Sequence, residues 1–101
     1  MTDIDPTEAQ IEAAVFRRLL EHLGHRTDVQ NIDLMGHSGF CRNCLSDWYQ
    51  EAASKHGKPV DKGAARERVY GMPYDEFKEK HQAPASQEQL ALMKESVAKN
   101  Q

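Results

Sequence analysis

The chain is short of the residues that build large hydrophobic interiors. Leu, Val, Ile and Phe together supply 18 of its 101 residues, and aromatic residues make up 7%. No uninterrupted apolar run approaches the ~20 residues of a membrane-spanning helix, which predicts a chain that does not cross a bilayer. An excess of one charge is missing as well. Thirteen Lys and Arg against sixteen Asp and Glu leave −3, so the long-range field that draws proteins to nucleic acid is absent, and no nucleic-acid partner is expected. Cysteine is scarce: the two present lie three positions apart, which is no framework for a disulfide-stapled secreted domain. The acidic start Met1–Asp5 lacks the basic and then apolar segments of a secretory signal. Both features predict a reducing cytoplasm.

So thin an apolar content joined to high net charge would read as disorder. The net charge is small, however, and the apolar residues that are present recur at helical spacing, which predicts one folded domain over 1–101. Ile11, Val15, Leu19 and Leu23 repeat every four residues behind Asp5-Pro6-Thr7-Glu8, a start signal with Asp5 as N-cap and Pro6 in the first turn. Gly24 is the expected stop. Residues 25–39 are expected to hold one short turn around Val29, Ile32 and Leu34, then a bend through Gly36 and Gly39. A central helix is expected from Phe40 to His56, capped by Ser38, with Cys41, Cys44, Leu45, Trp48 and Ala52 on one buried stripe. Asp61 caps a helix over 62–70, Met72-Pro73 opens one to His81, and Ser86-Gln87-Glu88-Gln89 is a capping box opening the last. No window alternates apolar and polar residues as a strand does. The expected fold is all-α, a small orthogonal bundle of about five helices. Its thin core suggests support from a homodimer or a bound metal.

The chemistry-bearing residues gather in the middle. His37-Ser38-Gly39-Phe40-Cys41-Arg42-Asn43-Cys44-Leu45-Ser46-Asp47-Trp48-Tyr49 holds both cysteines and the lone tryptophan, with His22 and His25 upstream. This run, together with the length and the acidic helical start, resembles the short bacterial family called domain of unknown function 1244. The resemblance implies a small helical bacterial protein and carries no established activity.

The residues themselves leave three readings open. Two thiolates at i and i+3 on a helix can grip one zinc or iron ion, with His37 as the nearest third ligand and His22 or His25 as a fourth. His22 shares a helical face with Ile11 and Val15 and is expected to point inward. Alternatively, cysteine is among the most buried residue types, and the same stripe would serve as plain core in a metal-free, homodimeric interaction module. Third, Cys41 in a first helical turn, beside Arg42, has the electrostatics of a redox-active dithiol, although the strand that normally precedes such a motif is missing. Deaminase, phosphate-loop and nucleophile-elbow signatures are absent. The basic stretch between Lys55 and Arg68 reads as a solvated helix face.

Overall fold

Residues 5–101 are described by the computed structural model, and among them there are six helices and no strand. These are α1 (Pro6–His25), α2 (Asn31–Ser38), α3 (Arg42–Lys55), α4 (Lys62–Tyr70), α5 (Tyr74–His81) and α6 (Gln87–Ala98). The start signals act as the sequence predicts. The Asp5 carboxylate accepts from the Thr7 N–H at 2.7 Å, and the Asp61 carboxylate from the Ala64 N–H at 2.7 Å. Ser86 and Gln89 satisfy each other's backbone N–H groups reciprocally.

Residues 31–38 depart from expectation. What the spacing suggests is a turn and a bend is the full helix α2, which makes six helices rather than about five. Gly39 closes it in the left-handed conformation at φ 78°, and Ser38 does not cap the next helix but donates back to the Leu34 carbonyl. Gly24 does not end α1, which runs one residue further to His25.

α2 is held by α6. A Cβ on Gly36 would meet the Leu92 side chain at 3.1 Å, so the absence of a side chain there lets the two helices approach closely. The contacts ascend together along both segments. Gln30 donates to the His81 carbonyl, Gln89 donates to the Asp33 carboxylate, Gly36 faces Leu92, and Asn100 donates to the Gly39 carbonyl. The two helices therefore run in parallel.

The core lies elsewhere. Leu20 and Leu23 of α1, Leu45 of α3 and Val69 of α4 form it, with Phe16, Leu19, Leu34 and Phe40 packed around them. Fully burying side chains of this size is worth about 1.5–3 kcal/mol each. Tyr70 and Phe77 extend the buried volume, their rings 4.6 Å apart.

Two expectations about burial are corrected. Trp48 is 55% exposed rather than central; it stacks loosely on Phe40 at 6.1 Å. Ala52 is also exposed, because the buried face of α3 runs through Arg42, Leu45 and Ser46, one residue round from the expected stripe. On α1, Ile11 and Val15 are 59% and 66% exposed, since Phe16, Leu20 and Leu23 turn a neighbouring face to the core. The radius of gyration, 15.1 Å, exceeds the ~13 Å of a compact chain this long, in keeping with the solvent-clad first half of α1.

Candidate functional site

Cys41 does not lie inside the first turn of α3. It is the residue before it, the N-cap, with extended backbone at φ −144°. Cys44 falls within the first turn. The N-cap position swings Cys41 back over the helix start, and the two sulfurs come within 4.0 Å, unbridged. Cys44 also donates to the Met35 sulfur of α2 at 3.9 Å. Three sulfur atoms are thus joined by two contacts where the C-terminal part of α2 meets the start of α3.

Burial pushes the Cys41 thiol up, against the pull of the Cys44 and Asn43 N–H groups, which favour the thiolate. The thiolate is the nucleophile in disulfide exchange, so a thiol held protonated by burial is a poor attacking group. This weighs against the redox-dithiol reading.

The histidines do not join the sulfurs. His22 and His25 lie exposed in the last turn of α1, and His37 is exposed in the last turn of α2. His22 does share its face with Ile11 and Val15, but that face is turned to solvent. Among the described residues, no group of three or more His, Cys, Asp and Glu side chains is assembled for a metal ion.

Beside the cysteines stands a residue that helical periodicity does not mark. Arg42 is 1% exposed. Its guanidinium donates to the carbonyls of Leu23, Arg26 and Val29 and to the Asn31 side-chain oxygen, at 2.8–3.2 Å. The Phe77 ring lies 5.2 Å from its central carbon. These acceptors include the free carbonyl end of α1, so one side chain caps a helix C-terminus and fixes the turn after it. Among the described residues no carboxylate forms an ion pair with Arg42; the nearby Asp28 is bound to Arg26 at the surface. Burial lowers the guanidinium's pKa, yet an arginine stays charged.

From Arg42 a polar chain runs inward. Asn31 accepts from Arg42 and donates to the Tyr70 hydroxyl at 3.0 Å, and Tyr70 in turn donates to the Asn43 side chain at 2.7 Å. Burial, first of all, pushes the Tyr70 phenol up to about 12. Asn31 and Asn43 also line a cleft of about 310 Å³ between α2, α5 and α6, with Ile32, Met35, Phe77 and Met93 as its apolar walls. That volume sits at the lower end of the range for small-molecule sites. Met35 thus connects the sulfur group to the cleft.

A family model described as protein of unknown function (DUF1244) matches residues 29–95. The chain belongs to this family. The part of the DUF1244 chain so matched includes Arg42, both cysteines, Met35 and every lining residue of the cleft except Thr27, and it excludes the whole of α1. No curated protein matches the chain. Among the described residues, no helix is long and apolar enough to cross a membrane.

Proposed function

We propose that this DUF1244 protein is a small metal-binding protein in which Cys41 and Cys44 form the ligand pair. The observation that supports this is the 4.0 Å separation of two unbridged sulfurs on a helix start, a span that one thiophilic ion bridges. A reducing cytoplasm would keep both thiols available. Zinc or iron bound by sulfur and imidazole is the set expected from the residue types. Here His22, His25 and His37 stand in solvent, so for them to act as ligands the chain would have to rearrange. Tetrahedral zinc needs four ligands, and the pair supplies two.

The test is metal content of the untagged protein beside Cys41→Ser and Cys44→Ser. A stoichiometric metal lost in both variants supports the reading, and loss in His37→Ala as well would add that ligand. A folded wild type that takes up no metal and melts identically with and without chelator removes it.

A second reading, a homodimeric interaction module, is favoured by α1. Glu8, Ile11, Val15, Arg18 and His22 share one face of this helix, and all are exposed. Two copies crossing antiparallel at Val15 would set Glu12 of one opposite Arg18 of the other, burying the apolar centre between complementary charges.

A further inference from the structure

We infer that the ion held by the cysteine pair is monovalent copper, with the thioether of Met35 as its third ligand. The inference rests on the thiolate-pair reading and goes beyond it in naming both the ion and the extra residue.

Three observations carry it. The first is donor type. Cys44 touches the Cys41 sulfur at 4.0 Å and the Met35 sulfur at 3.9 Å, and no His, Asp or Glu among the described residues completes a set of three with the cysteines. Thiolate and thioether ligands select Cu(I), whereas zinc favours four ligands drawn from thiolate, imidazole and carboxylate. The second is spacing. An ion ~2.3 Å from each of three sulfurs in one plane holds those sulfurs ~4.0 Å apart, and two of the three edges, Cys41–Cys44 and Cys44–Met35, already have that length. The third is charge. Cu(I) with two thiolates and a neutral thioether carries −1. Arg42, next in sequence to Cys41, is a buried cation hydrogen-bonded to neutral oxygens. Cys41 lies within Coulombic reach of that guanidinium, so a site of net −1 offsets its charge, whereas two thiolates with a divalent ion are neutral and offset none of it.

Binding releases two protons: the two S–H bonds break, two Cu–S bonds form, and the Met35 sulfur donates a lone pair for the third. No electron is transferred, since the ion arrives as Cu(I). Met35 also lines the cleft, which gives the ion a way in.

The experiment titrates reduced full-length protein anaerobically with Cu(I) supplied as its acetonitrile complex, in competition with bicinchoninate. Wild type, Met35→Leu and the Cys41→Ser/Cys44→Ser double variant are compared, with circular dichroism as the check on folding. One Cu(I) per chain is expected. Met35→Leu, a volume-conserving change, should weaken it at least roughly tenfold, and the double variant should abolish it. X-ray absorption of the wild-type complex should show a shell of three sulfurs. A Met35→Leu variant that binds as wild type does, or a shell containing nitrogen or oxygen, overturns the copper–thioether site while leaving the thiolate pair as a ligand. Wild type that takes up neither Cu(I) nor Zn(II) overturns both.

Discussion

Arg42 concentrates more of the structure in one side chain than any apolar residue does. Four N–H donors on the two terminal nitrogens of a rigid fork reach the end of α1, the turn after it and Asn31. Replacement by Met keeps the bulk and leaves those acceptors unpaired in a buried place. Arg42→Met should cost about 3 kcal/mol or more in urea unfolding, and Arg42→Lys should recover little, because an ammonium cannot span the same acceptors. A loss under 1 kcal/mol would mean that water substitutes for the guanidinium. Nothing in helical spacing announces this residue: it stands off the apolar stripe that periodicity marks, and its partners are mostly backbone carbonyls, which leave no mark in sequence. The cysteine pair was legible from its spacing; Met35 was not, since it approaches from another helix. Tyr70 allows a pH prediction. Its folded pKa, about 12, lies above the ordinary value of 10, so the folded chain keeps the proton when the unfolded chain loses it. That contribution is intact below pH 10 and is lost as pH rises through about 12. Tyr70→Phe, which loses the bonds to Asn31 and Asn43, should be about 1–3 kcal/mol less stable at neutral pH. The gap between its melting temperature and that of wild type should narrow above pH 10; a constant gap would place the phenol in water.

Among the helices, those with strong local signals matched expectation. α1, α4 and α6 begin at capping residues whose bonds form within three positions, so sequence alone carries the information. α2 has weaker local support, a Gln30 N–H that reaches the Asp33 carboxylate at 3.3 Å. It is eight residues long, contains Gly36, and starts from Gln30, so its helicity depends on α6, which packs against it from far along the chain. α6 is itself weakly anchored, with no fully buried residue and with Leu90 and Leu92 partly exposed. This predicts a soft spot. Gly39→Ala places a side chain at φ 78° and drives its Cβ to 2.6 Å from the Asn100 side-chain oxygen. It should cost about 1–2 kcal/mol and raise amide exchange in α6 well before exchange in α3. Uniform acceleration across all helices would instead mean that α6 unfolds only with the core.

At the scale of the whole molecule, the surprise is how much apolar surface faces outward. Ile11, Val15 and Trp48 are all more than half exposed, although the chain has few large apolar residues to spend. Periodicity located the stripes on α1 but could not say which of two adjacent faces would meet the core, because both carry apolar residues; Phe16, Leu20 and Leu23 outweigh Ile11 and Val15 in bulk and number. The homodimer reading turns this surplus into a measurable expectation. Light scattering at micromolar concentration should give twice the 11.5 kDa chain mass, and Val15→Glu should return it to the single mass with helicity unchanged. A wild type that scatters as a single chain would leave the α1 face without a second copy.

The parallel seam between α2 and α6 also sets an order of events. Its fastenings join positions 51 to 61 residues apart, from Gln30 with His81 to Gly39 with Asn100. A ribosome makes α2 early, and the helix must wait for the partners that close over it. Until α6 emerges, Met35 and the floor of the cleft stand open while α1, α3 and α4 can already pack around Leu45. The nascent chain therefore passes through a stage in which its sulfur group is at its most accessible, and the docking of α6 is the step that narrows access to it.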